Sequence, residues 1–338
     1  MLRSGPALLV VAAAAIALGV AADIVIDTGS FREWAIRLCI LGLFAMSLNL
    51  LVGYTGLLSF GHAAFFGVGA YTFCILMQTG KIGIPLAAAS AVGLAGVSAL
   101  VIGVICVRLT HVYFAFITLA IQMLLYSVVI AWSSLTGGEQ GLIGGIPRPP
   151  FLGVNLGDPL HAYTFNVAVF VASVALMYRI VNSPFGTALR MIRDNPRRAL
   201  FLGVNVNRYK LAAFVIAGMF SGLAGVLMGL YVSGAYPNFA YWTMSGEGLF
   251  MIMLGGAGVF LGPALGAGLL IFLEGMVNSY TGHHGIVLGL IILAVVLGLR
   301  RGVLEYASDW LRARRELKAE VGAGASPSSA KAAEKGAK

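Results

Sequence analysis

Apolar residues run in long, nearly unbroken stretches along this chain, separated by short polar punctuation. A bilayer core takes about 20 apolar residues per helix. Ten such stretches can be drawn: 5–25, 34–52, 58–77, 82–107, 112–135, 163–182, 211–235, 247–261, 263–278 and 285–299. The pattern predicts an all-α polytopic membrane protein of about ten transmembrane helices. The range is eight to ten, because the glycine-rich stretches 58–77 and 247–278 could be broken or re-entrant. The first stretch follows Arg3 and ends in Val20-Ala21-Ala22, as a secretory leader does. Its apolar run, Gly5 to Ala22, outlasts the usual leader core of about 7–15 residues, so it is read as a retained helix.

Composition agrees: 59% of residues are hydrophobic and 10% charged, where a soluble domain carries about 25% charged. The net charge of +9 finds its meaning in its placement. Ten crossings put Arg3, Arg108, the basic segment around 179–210 and the C-terminal tail on one side. That side holds eighteen of the Lys and Arg residues; Arg32, Arg37, Lys81 and Arg148 fall on the other. The bias puts both termini in the cytoplasm and calls for no nucleic-acid partner. Residues 1–304 read as the membrane domain, 305–318 as a basic cytoplasmic helix and 319–338 as a disordered tail. The long outer loop, 136–162, is read as either an ordered docking surface or a connector.

The basic segment carries the most specific local signals. Ser183-Pro184 reads as an N-cap with Pro at the first helical position, opening a helix to about Arg193. Asn195-Pro196 repeats that signal, and Gly203 closes the second helix in the left-handed conformation. The second helix, Pro196 to Leu202, is about 10 Å long. It carries Ala199-Leu200-Phe201-Leu202 on the wet side, ringed by Arg197, Arg198 and Arg208. Such a knob suits a pocket on another protein.

Several of the 45 glycines lie four apart. Gly218, Gly222, Gly225, Gly229, Gly258, Gly262 and Gly266 are expected to bring helices into close contact, as does the pair Gly285/Gly289, because lipid supplies no hydrophobic drive between helices. Intramembrane polar residues are candidates for function. Asn49, His62 and Glu274 are the expected pathway-lining residues. Gln122 and Asn166, like Asn49, also suit interhelical hydrogen bonds, and Asn278 is a further intramembrane polar residue. The five histidines have no metal-ligand spacing, and Cys39, Cys74 and Cys106 sit in apolar stretches as packing residues. No GxxxxGK[ST], HExxH or GxSxG occurs, so the chain shows no nucleotide loop, zinc-protease or hydrolase signature.

Four stretches carry a resemblance. They are Ser47 to His62 with the following Ala63 to Tyr71; Ser183-Pro184-Phe185-Gly186 through Gly203-Val204-Asn205 to Lys210; Gly255 to Gly258 with Gly262 to Ala267; and Gly298 to Leu304. The chain resembles the LivM-type permease subunits of branched-chain amino acid ABC importers. The resemblance implies a coupling loop, 183–210, whose Arg193, Asn195, Pro196, Arg197, Arg198, Ala199, Leu200, Phe201, Leu202 and Gly203 engage an ATPase. It implies two cytoplasmic ABC ATPases holding ATP and Mg, with no cofactor in this chain. A second permease subunit, a periplasmic substrate-binding protein and a bacterial inner-membrane location are also implied. The substrates implied are leucine, isoleucine and valine, with urea, short amides or another amino acid as alternatives. Pro196-Arg197-Arg198 stands where relatives often have an acidic residue, Phe201 is bulkier than expected, and Arg301 replaces a frequent Pro. An ion-coupled secondary transporter is the alternative from another class and predicts discontinuous helices around a midplane site. An intramembrane enzyme is a third class, without a motif to support it.

Overall fold

The computed structural model describes residues 29–109, 111–144 and 157–280, with isolated positions between 286 and 293. The expected first helix, most of the last one, loop residues 145–156, the closing motif, the basic helix and the tail lie outside the described residues. So do His283, His284 and Gly285.

The described chain is helical: α1 (Gly29–Thr55), α2 (His62–Gln78), α3 (Ile84–Cys106), α4 (His111–Ala131), the single turn α5 (Ser133–Thr136), α6 (Pro159–Val181), α7 (Pro184–Asp194), α8 (Pro196–Phe201), α9 (Val206–Val232), α10 (Trp242–Gly255) and α11 (Gly262–Tyr280). Start signals are local. Asp158 caps α6 by accepting from the Leu160 N–H at 3.2 Å, with Pro159 at the first position. Pro85 stands in the first turn of α3.

Five of these helices are long and apolar enough to cross a membrane: Phe31–Thr55, Ile84–Cys106, Val112–Ala131, Pro159–Val181 and Val206–Val232. Burial sorts them. The apolar windows of α1 and α9 are 83% and 67% buried, against 22–33% for α3, α4 and α6. Two central helices therefore stand inside a ring whose outer faces expose Leu94, Val97, Val101, Ile105, Phe116 and Leu124. That outward apolar surface is what a helix facing lipid requires.

Small residues set the close approaches. On α9, Gly218 and Gly222 meet Ala99 and Ala95 of α3, while Gly225 and Gly229 meet the α2 backbone at Phe66 and Ala70 and the Cys74 Sγ. Gly262 and Gly266 let α11 close against the backbone of Gly255 and Met251 in α10. Gly258 is exposed in the α10–α11 turn. The three cysteines are buried and free.

Two helices are interrupted. Stretch 58–77 is helical only from His62, because residues 56–61 leave the end of α1 and run back into the bundle without regular structure. Ser47, which touches His62, lies about 12 Å before the end of α1 at 1.5 Å per residue. So α2 starts well inside the bundle. Likewise α9 stops at Val232, a 3-10 turn spans Pro237–Ala240, and α10 begins at Trp242, against an expected start at 247. Residues 256–261 then form a turn, and α11 runs back antiparallel to α10. Hydropathy alone cannot see the first of these interruptions, since Leu57, Leu58 and Phe60 are as apolar as helix residues; the second falls in the gap between stretches 211–235 and 247–261.

The described part of the outer loop is pinned. Leu142 and Ala235 exchange backbone hydrogen bonds of 2.8 and 3.2 Å, tying the loop to the end of α9. This favours an ordered loop over a loose connector for residues 136–144.

Candidate functional site

The basic segment folds as two helices at an elbow. Helix α7 is amphipathic: Ala188, Leu189 and Ile192 are buried against the bundle, while Thr187 and Met191 face outward. Phe185 stacks on Tyr209 at 5.6 Å, bracing the start of α7 against the start of α9. The Ser183 hydroxyl donates back to the Ile180 carbonyl at 2.7 Å, so it occupies the N-cap position without capping α7. Asn195 turns the elbow in extended conformation, and its side chain accepts from the Arg198 N–H at 3.0 Å as the true cap of α8.

Helix α8 ends in a Schellman motif. The Gly203 N–H reaches the Leu200 carbonyl at 3.0 Å and the Val204 N–H reaches the Ala199 carbonyl at 3.1 Å. Gly203 has φ +83, the left-handed region that costs other residues about 1–2 kcal/mol. Ala199 is the foot of the helix, buried against Ile192 and Val206. The next three residues face away: Leu200, Phe201 and Leu202 are 61%, 88% and 68% exposed. Pro196, Arg197 and Arg198 are exposed beside them. Arg193 differs from its neighbours, because its guanidinium turns toward the bundle and donates to the Gly53 carbonyl.

A second constellation lies inside the bundle where the interrupted helices start. Gly61, at the N-cap of α2, lies so close to the Thr118 backbone that an added Cβ would sit 2.5 Å from its carbonyl oxygen. A capping side chain therefore cannot stand at residue 61. Ser245 of α10 supplies the cap from outside, its Oγ accepting from the Ala63 N–H at 2.9 Å. The same hydroxyl donates to Gln122 Oε1 at 3.0 Å, and Gln122 Nε2 donates to the Ala240 carbonyl at 3.1 Å. Ser221 of α9 donates to the His62 carbonyl at 3.2 Å. The Ser47 hydroxyl gives its proton to the Phe44 carbonyl at 2.7 Å, so His62 Nε2–H is the donor in the 2.8 Å bond to Ser47. His62 Nδ1 then holds a lone pair, without a hydrogen-bond partner among the described residues. Five helices (α1, α2, α4, α9 and α10) and the 237–240 turn are thus sewn together at the point where backbone would otherwise go unpaired in an apolar medium.

The expected pathway residues are not brought together. His62 is fully buried among Phe44 and Phe65. Asn49 is buried and donates to the Ala257 carbonyl at 3.3 Å, fastening α1 to the α10–α11 turn. Glu274 pairs with Arg37 at 3.9 Å, far from the basic end, and lines an open cleft of about 570 Å³ with Val52, Leu58, Phe60, Phe250, Met253 and Glu247. Gln122 makes the interhelical bonds anticipated for it, whereas Asn166 donates to Ala162 of its own helix. Ser47, Ser221 and Ser245 were not legible as site residues, since serine in an apolar run carries no periodic signal; Glu247, a carboxylate at the edge of stretch 247–261, did carry a signal and was missed. Among the described residues no group of three His, Cys, Asp or Glu side chains could hold a metal ion.

Long apolar helices, two interrupted starts stitched by polar side chains and an exposed apolar helix at the basic end define a multi-pass membrane permease. The chain belongs to the family described as branched-chain amino acid transport system / permease component, whose sequence profile matches residues 30–296. It is 25% identical over 293 residues to the high-affinity branched-chain amino acid transport system permease protein LivM of Escherichia coli (strain K12), covering 80% of this chain and 69% of that one. Over 148 residues it is 30% identical to the nucleoside ABC transporter permease protein NupC of Lactococcus lactis, 43% of this chain and 40% of that one. Over 141 residues it is 29% identical to the LivH permease protein of E. coli (strain K12), 41% and 45% of the two chains. No solved structure matches the chain.

Proposed function

We propose that this chain is the transmembrane permease subunit of an ATP-binding-cassette importer that moves branched-chain amino acids across the bacterial inner membrane. The single observation that supports this best is α8, which turns Leu200, Phe201 and Leu202 to solvent. Three large apolar side chains standing exposed among arginines are costly in water and favourable in a partner's pocket. The positive bias places that end in the cytoplasm, where two separate ABC ATPases supply the pocket and hold the ATP and Mg. Arg197 and Arg198 flank the knob and suit an acidic rim on the ATPase.

The chain's own part in transport is mechanical. Closure of the ATPases pushes on α8, whose foot Ala199 rests on Ile192 and Val206. Movement passes into α7 and from there to α1 and α9, on which α7 packs. The stitched starts of α2 and α10 keep their backbone paired as the bundle rocks. A second permease subunit of similar size completes the pathway, and a periplasmic binding protein delivers the substrate. Family membership supports leucine, isoleucine and valine as cargo, and Val52, Leu58, Phe60, Phe250 and Met253 of the cleft suit their side chains, with Glu247 and Glu274 beside them.

Reconstituted with two ATPases, a partner permease and a binding protein in proteoliposomes, the chain is expected to accumulate leucine, isoleucine and valine only when ATP is supplied. Accumulation driven by an ion gradient without ATPases, the behaviour of a secondary transporter, would contradict the proposal. Uptake of nucleosides but not of leucine would move the substrate to that of the partial relative.

A further inference from the structure

Arg193 occupies a position that docking alone does not explain. It is the penultimate residue of α7, two positions before the Asn195 cap of α8. Its Nη1 donates to the Gly53 carbonyl, one of the last carbonyls of α1. Those carbonyls have no partner within their own helix, and the negative end of the helix dipole favours a cation there. Its Nε and Nη2 both donate to Asp194 Oδ1, at 3.3 and 3.2 Å, which orients the guanidinium. The aliphatic stem lies over Gly56, where an added Cβ would sit 3.0 Å from Arg193 Cγ and 3.6 Å from its Cα. Gly56 itself has φ +74 and is the residue at which the chain leaves α1 and turns back into the bundle.

Beyond Gly56 the irregular segment carries Leu58 and Phe60 into the cleft and then starts α2 at His62. The elbow next to the docking helix is therefore clamped, through one side chain, onto the hinge of the re-entrant segment. We infer that Arg193 is a positioning residue that converts displacement of α8 into movement of residues 56–61. With the clamp closed, Arg193 holds the Gly53 carbonyl and the hinge, and Leu58 and Phe60 keep their places in the cleft. When α8 is driven by its partner, α7 carries the guanidinium with it, and the segment it releases reshapes the cleft. Arg193 stands in the coupling segment and is partly exposed, but its guanidinium is held by Gly53 and Asp194 of its own chain and, on the present inference, not by the motor. The inference rests on the proposed docking of an ATPase at α8 and assigns how that movement reaches the pathway.

The test uses the complete transporter in proteoliposomes, with ATP hydrolysis and leucine uptake measured in parallel. Arg193→Met keeps the stem and removes the donors. It is expected to co-purify with the ATPases and to hydrolyse ATP within about two-fold of the unchanged complex, while uptake falls at least ten-fold. Arg193→Lys, which retains one donor for the Gly53 carbonyl, is expected to recover most of the uptake. Hydrolysis and uptake falling in step in Arg193→Met, or remaining normally coupled, would overturn the inference. An independent measurement leaves Arg193 in place: a cysteine at Leu58, read by its rate of thiol labelling, is expected to change rate at least three-fold between the nucleotide-free and the ATP-trapped complex. An unchanged rate would also overturn it. If aspartate at both Leu200 and Phe201 leaves uptake normal, the docking proposal fails instead, whatever Arg193 does.

Discussion

Replacing Leu200 and Phe201 together by aspartate is expected to abolish ATP-driven uptake while the chain still inserts into the membrane. Phe201 is 88% and Leu200 61% exposed, so neither holds the permease together. Helix α8 keeps its own supports in the variant, namely the Asn195 cap, the Gly203 closure and the buried foot at Ala199. A central apolar anchor in an interface is worth about 2 kcal/mol or more when truncated, and a buried unpaired charge costs several kcal/mol further. At 1.4 kcal/mol per factor of ten, two such changes weaken docking by roughly a thousand-fold or more. Uptake should fall to background, and the ATPases should no longer co-purify. Normal uptake by a well-expressed double variant would rule out α8 as the docking element.

The second large effect concerns the bundle itself. Gly225→Leu is expected to reduce the yield of folded, monodisperse protein at least ten-fold. A Cβ at this position meets the Phe66 carbonyl and lies 3.0 Å from the Ala70 nitrogen, both backbone atoms of α2. Backbone cannot rotate away as a side chain can, so α2 and α9 would have to part. Overpacking costs about 1–3 kcal/mol even where side chains can adjust, and here the separation would also disturb the Ser221–His62 bond on the same interface. Gly93→Leu is the control, since nothing lies within 4 Å of a Cβ there. Its yield and thermal unfolding in detergent should match the unchanged protein. Equal behaviour of the two variants would show that the glycines of α9 do not set helix contact.

The basic elbow was largely legible in the sequence because its signals are local. Ser183-Pro184, Asn195-Pro196 and Gly203 each act within a few residues, and α7 and α8 begin where those pairs stand. Even here a distinction escaped: Asn195 caps its helix, whereas Ser183 turns its hydroxyl backward. Which of the four apolar residues of α8 faces in also escaped, because the answer lies with Ile192 and Val206 rather than with α8. The polar stitching could not be read at all. Ser245 meets Ala63 and Gln122 across 182 and 123 residues of chain, and Ser221 meets His62 across 159. Serine is common in apolar helices, so only the fold reveals that three of them converge. Hydropathy misjudged residues 58–61 and 256–261, drawn into membrane stretches yet non-helical, for a related reason. It measures affinity for a dry environment, and an irregular segment packed in protein shares that affinity with a helix.

The measurement that bears most directly on the central claim is the sidedness and protection of residue 201. With Phe201→Cys in membrane vesicles, a membrane-impermeant thiol reagent reports which face carries α8, and the native cysteines, all buried, stay silent. Rapid labelling is expected in inside-out vesicles stripped of the ATPases, with strong protection once the ATPases are added back. Labelling confined to right-side-out vesicles, or labelling that the ATPases leave unchanged, would contradict the claim.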